Sequence, residues 1–146
     1  MAMRWGLTID CANARVVARF WGEALGYVPA PPPPGFATWE AWLDHYDVPA
    51  EERDGFASLH DPWGAGPTLS FLAVPEPKTV KNRLHIDIKA GGGRDAVPWE
   101  ERWPRVQAEV ARLTEAGATP LRTDAIDGRP DHVVMADPEG NEFCVV

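Results

Sequence analysis

The sequence predicts an α+β fold made of two diverged copies of one β-α-β-β-β unit. Three observations carry this expectation. The segment Leu7-Thr8-Ile9-Asp10-Cys11, a helical stretch and Leu25-Gly26-Tyr27 are echoed by Leu84-His85-Ile86-Asp87-Ile88, a second helical stretch and Ala116-Gly117-Ala118. Each half then reaches an Asp-Pro-x-Gly turn, at Asp61 to Gly64 and at Asp137 to Gly140, ahead of an apolar strand. Asp10 and Asp87 lie 77 residues apart, and Asp61 and Asp137 lie 76 apart, so two independent landmarks give nearly one offset. Gly26 and Gly117 are 91 apart. The excess comes from a glycine loop ahead of the second helix and a proline- and tryptophan-rich insertion after the first.

Taken in order, Trp5 to Cys11 reads as a strand, and Asn13 as the N-cap of a helix. Val17, Phe20, Trp21, Ala24 and Leu25 recur at helical spacing, and Gly26 supplies the left-handed stop. Tyr27-Val28 begins a second strand. Pro31 to Pro34 must be extended, because proline fixes φ and restricts the residue before it. Thr38 caps a short helix that sets Trp39, Trp42, Leu43 and Tyr46 on one face. Val48-Pro49 ends it, and Ala50 to Asp54 is an acidic turn. Gly55 to His60 and Thr68 to Val74 are strands.

Pro75 to Asn82 has no apolar periodicity and reads as a linker. Arg83 to Ala90 is a strand, and Gly91-Gly92-Gly93 a flexible loop. Trp99, Trp103, Val106, Val110 and Leu113 mark the clearest helix, with Pro104 tolerated in its first turns and Gly117 closing it. Thr119 to Thr123, His132 to Ala136 and Glu142 to Val146 complete the set. The whole is one domain, residues 1–146, with modules at approximately 4–75 and 83–146. A unit this small cannot bury both sheet faces alone. Two copies can pair curved sheets around a cleft, helices outside, and such a cleft suits a small ligand.

Composition narrows the function classes. The formal net charge is −8, and the densest basic stretch is Lys78, Lys81 and Arg83. No nucleic-acid partner is expected, since phosphate binding needs a basic stripe, and no anionic membrane partner either. Cys11 and Cys144, the two cysteines, make no disulfide framework. With no long apolar run and no cleavage-site pattern at the start, a cytoplasmic location is the simplest expectation. Seven tryptophans are enough to fill a core and line a cavity.

Paired β-α-β-β-β units closing on Asp-Pro-x-Gly resemble the vicinal oxygen chelate superfamily: glyoxalase I, bleomycin resistance proteins, extradiol dioxygenases and methylmalonyl-CoA epimerase. The chain is most similar to bacterial glyoxalase-like domain proteins. The shared features are Val-Pro-Glu-Pro-Lys at Val74 to Lys78, Lys-Asn-Arg-Leu-His-Ile-Asp at Lys81 to Asp87, and the tail Met135 to Cys144. The resemblance implies the glyoxalase/bleomycin resistance/dihydroxybiphenyl dioxygenase fold over nearly the whole chain, apart from the Pro31 to Asp54 insertion. It also implies a homodimer. It says little about the reaction, because one scaffold hosts many chemistries.

Metal-dependent members of that superfamily place a ligand near the start of each half's first strand and another in each half's last strand. His85 matches one of these four positions. Its first-half counterpart is Gly6 or Thr8, and the last-strand positions fall at Cys144 and about Ser70. No resident cofactor is therefore expected, and a divalent metal, if bound, would involve His85.

His85 and Asp87 share a strand face. With Asp10, the repeat-related partner of Asp87, they form the expected catalytic set: one imidazole and two carboxylates suited to acid–base work. The alternative is that both aspartates cap loops or pair with Arg4, Arg83 or backbone N–H groups. Trp39, Trp42 and Tyr46, with Thr8 and Cys144, form the expected ligand-binding set. The aromatic insertion suits three placements: a lid over the cleft, a dimer contact, or outer packing. His60 and His132 read as solvated or structural, Cys144 equally as an inert thiol, and Asp61 and Asp137 as turn formers. The functional expectation is a metal-independent small-molecule-binding protein that binds or modifies an apolar or aromatic metabolite. Its rivals are a metal-dependent lyase, isomerase or dioxygenase, and an antibiotic-sequestering resistance protein.

Overall fold

The computed structural model describes residues 3–146, arranged as two compact units that divide between Pro77 and Lys78. The first contains β1 (Gly6–Cys11), α1 (Ala14–Leu25), β2 (Val28–Pro29), α2 (Trp39–His45), a 3-10 turn at Ala50–Gly55, β3 (Phe56–His60) and β4 (Thr68–Ala73). The second contains β5 (Asp87–Ile88), α3 (Trp99–Glu115), β6 (Thr119–Ile126), β7 (Arg129–Ala136) and β8 (Glu142–Val145). The sheet orders are β1-β4-β3-β2 and β5-β8-β7-β6. In both, the first strand runs parallel to the last and the remaining pairs are antiparallel. The repeat read from sequence is thus a repeat of topology, and both sheets are open. No helix among the described residues is long and apolar enough to cross a membrane.

Local chemistry sets the helix ends. Asn13 accepts a hydrogen bond from the Val16 N–H, and Gly26 closes α1 at φ 70°. Helix α1 packs on β3 and β4. It buries Val17, Phe20 and Trp21, while Leu59, Leu69 and Phe71 are the buried positions of those strands. Alternation leaves Thr8, Ser70 and Ser58, aligned by register, on the opposite face. In the second unit, α3 packs on β7, β6 and β8, with Val106, Leu113, Met135, Phe143 and Val145 fully buried. Burying each phenylalanine of these cores contributes about 2 kcal/mol.

Three expectations need correction. The strand expected over Arg83 to Ala90 shrinks to Asp87–Ile88, so His85 lies in the segment leading into it. The Asn82 side chain accepts the Glu142 N–H, taking a β8 donor that a longer strand would have used. The acidic turn after α2 is a 3-10 turn. Strands β6 and β7 run on to Ile126 and from Arg129, joined through Asp127 and Gly128 at φ 51° and 75°. Asp-Gly is a strong hairpin signal, masked here by Pro130, a residue that argues against a strand.

Candidate functional site

In the second unit the face turned away from α3 carries a polar row. Register places Asp87 beside Cys144, Cys144 beside Val134, and Val134 beside Arg122. His85 reaches this row from the lead-in to β5, its Nδ1 3.2 Å from Asp87 Oδ1, both side chains about half exposed. Donor atoms of His85, Asp87 and Cys144 all lie within 4.8 Å of one another. Burial, and then the Asp87 carboxylate, push the half-buried Cys144 thiol above its ordinary value, so it is protonated at neutral pH. Arg122 pairs with Asp124 at 3.1 Å, and Asp124 lies 3.3 Å from His132 Nε2.

The other expected site residues are dispersed. Asp10 is exposed in β1 of the first unit, beside Leu72, and makes no ion pair with another described residue. Thr8 shares its face. Trp39 and Trp42 line a cavity of about 930 Å³ formed within the first unit by α1, β3 and the α2 segment. Tyr46, its ring tilted against Trp42 with centroids 5.0 Å apart, does not line it. Asp61 and Asp137 are the turn formers expected. Asp61 accepts the Trp63, Ala65 and Gly66 N–H groups, and Asp137 those of Glu139 and Asn141.

The sequence profile of the glyoxalase-like domain matches residues 6–146. The chain belongs to the glyoxalase-like domain family. Among solved structures, it is similar to a possible glyoxalase from Bacillus cereus, at 14% identity and TM-score 0.60 over 100% of this chain and 99% of that one. It is also similar to a glyoxalase/bleomycin resistance protein/dioxygenase family enzyme from Burkholderia phytofirmans, at 15% identity and TM-score 0.57 over 95% and 93%. A third likeness is to a fosfomycin resistance protein from Listeria monocytogenes, complexed with Mn(II) and 1S,2S-dihydroxypropylphosphonic acid, at 10% identity and TM-score 0.58 over 98% and 90%. At these identities the likeness is one of fold. No curated protein matches the sequence.

Among its described residues, this glyoxalase-like domain offers one set of donors for a metal. The sequence pointed to His85 as the ligand if a metal binds, and the fold brings Asp87 and Cys144 beside it. One imidazole, one carboxylate and one thiol suit a borderline ion such as zinc with an open coordination position. They do not suit a hard cation, which prefers several oxygens.

The same domain contains a buried network that no local pattern announces. Asp131 is 2% exposed. It accepts hydrogen bonds from Arg94 Nε at 2.8 Å and Arg102 Nη2 at 2.9 Å, and lies 2.9 Å from His132 Nδ1. His132, expected to be solvated or structural, is a half-buried member of this network. The Arg94 hydrogen bond, above all, holds the Asp131 carboxyl well below the usual range. A Cβ at Gly91 would strike Arg102 Cγ, 2.4 Å away. That glycine, read from sequence as part of a flexible loop, lets the guanidinium through.

Proposed function

We propose that the protein binds a small organic molecule on the polar face of its second sheet and works there without a resident metal ion. The contact between His85 and Asp87 carries this reading. A carboxylate on Nδ1 fixes the imidazole tautomer and leaves Nε2 free to take or return a proton.

A second reading rests on a separate observation, the approach of the His85, Asp87 and Cys144 donors. These three residues would hold a zinc-type ion, which when bound polarises a ligand oxygen. The manganese-bound Listeria neighbour supports a metal-using relative of this fold, although its metal is a harder one.

Native mass spectrometry and metal analysis of protein taken directly from cells separate the two. A co-purified organic molecule without metal is the expected result. Stoichiometric zinc, nickel or iron would overturn the metal-free reading. With the co-purified molecule in hand, His85→Ala should abolish its conversion while changing its affinity by no more than about threefold. If the molecule is bound but never converted by the parent protein, the role is sequestration, as in a resistance protein.

A further inference from the structure

We propose that the cavity inside the first unit is a second ligand site, and that it takes a planar aromatic organic cation. It shares no residue with the His85 site, and its roughly 930 Å³ lies near the upper end of small-molecule pockets.

The cavity is held open. Not one residue of α2 is buried, so the helix spans the space as a canopy rather than collapsing onto α1. Thr38 caps its first turn through the Ala41 N–H, 3.0 Å away, and two attachments fix the helix in place. The Trp39 indole N–H donates to the Ala30 carbonyl at 2.9 Å. Arg53 bonds the Val48 carbonyl and pairs with Asp44 at 2.8 Å. Large apolar groups left half exposed around a space of this size are costly in water, and a flat apolar molecule removes that cost.

The walls specify the shape. Trp39 meets Trp42 edge to face at 5.8 Å and lies tilted against Phe56 at 5.9 Å. Leu43, Ala57 and Leu59 complete the apolar surface. Aromatic faces arranged this way stack on a planar ring system.

Charge specifies the sign. Two of the three arginines at the cavity, Arg15 and Arg53, are neutralised by Asp54 and Asp44. Arg19 and Glu23 offset each other in sign. That leaves Glu40 and Glu52, neither with an ion-pair partner among the described residues. Carboxylates next to indole faces select cations, and the net charge of −8 steers them in.

The test is a fluorescence titration with 9-aminoacridine, a planar cation, against acridine, its neutral analogue at mildly alkaline pH. The expected result is saturable one-to-one binding of 9-aminoacridine, about tenfold tighter than acridine. Trp42→Ala should weaken both ligands. The double variant Glu40→Gln/Glu52→Gln, which changes only exposed side chains, should bring the two affinities to within about twofold. His85→Ala should leave both unchanged. Equal affinities in the parent protein would overturn the cation assignment. No saturable binding, a Trp42→Ala variant that binds normally, or loss of binding in His85→Ala would overturn the site itself. Failure of this titration leaves the His85 proposal untouched, because the two sites have separate readouts.

Discussion

Asp131 is the buried centre of a charge network in the second unit. Its carboxylate is buried and faces two guanidinium groups and an imidazole. Removing one partner of such a set leaves the other charges uncompensated. Asp131→Asn should cost about 3–5 kcal/mol, read as a fall in denaturation midpoint with unchanged slope, whereas Glu101→Gln in an exposed pair should cost under about 1 kcal/mol. The pH dependence follows from the direction of the shift. The native carboxyl is more acidic than in the unfolded chain, so its contribution is complete above the ordinary aspartate value. It drains away as pH falls below about 4. The parent should lose stability steeply over that acid range, and Asp131→Asn should lose much less. Equal acid slopes would rule this out. None of this was legible in the sequence. Arg94 and Arg102 stand 37 and 29 residues before Asp131, so no periodicity joins them, and a strand-end aspartate looks like any solvated one. Asp61 and Asp137 were legible, because their partners lie within five residues.

Elements were legible where their signals were local. Both caps, Asn13 and Thr38, fell where Ser/Thr/Asn chemistry ahead of an apolar run placed them. Yet equal caps do unequal work. Helix α1 buries six residues, Ala14, Val17, Ala18, Phe20, Trp21 and Ala24, against its sheet, so its end cannot fray without disturbing the core. Asn13→Ala should lower global stability by about 1 kcal/mol. Helix α2 buries nothing, and Thr38→Ala should leave the global midpoint unchanged. Its effect should appear as faster amide exchange confined to residues 39–46. A global loss from Thr38→Ala would mean that α2 is structurally required. Strand β5 was the least legible element. Its apolar alternation continues through Leu84 and Ile86, but hydrogen bonding is decided by the partner strand, and only Asp87 and Ile88 pair with β8. The candidate site inherits this limit. The sequence placed His85 and Asp87 on one strand face, while the structure joins them by direct contact across the start of the strand.

For the whole molecule, duplication was the most legible feature, because its evidence is spread over the full length and each landmark checks the others. The boundary follows from the same logic. Each unit completes its own sheet, with the first strand zipped to the last, so little backbone pairing remains for the chain between them. Among the described residues, Pro75 to His85 make no backbone-to-backbone hydrogen bond. Lys81 is tied to Glu142 and the Lys78 ammonium to the Val80 carbonyl. Arg83 has no ion-pair partner among the described residues and is exposed. Proteases need an exposed strand of backbone that can be drawn into the active site. Other exposed arginines, such as Arg15 and Arg105, sit inside helices, where the backbone is engaged. Limited trypsin treatment of the native protein should therefore cut first after Arg83, then after Lys78, giving one fragment from each unit, told apart by mass spectrometry. An early cut after Arg53 instead would show that the α2 segment opens more readily than the linker. The His85 site lies entirely on the second fragment and the aromatic cavity entirely on the first. A nick at Arg83 that left each site's ligand bound would show that neither depends on the covalent connection between the units.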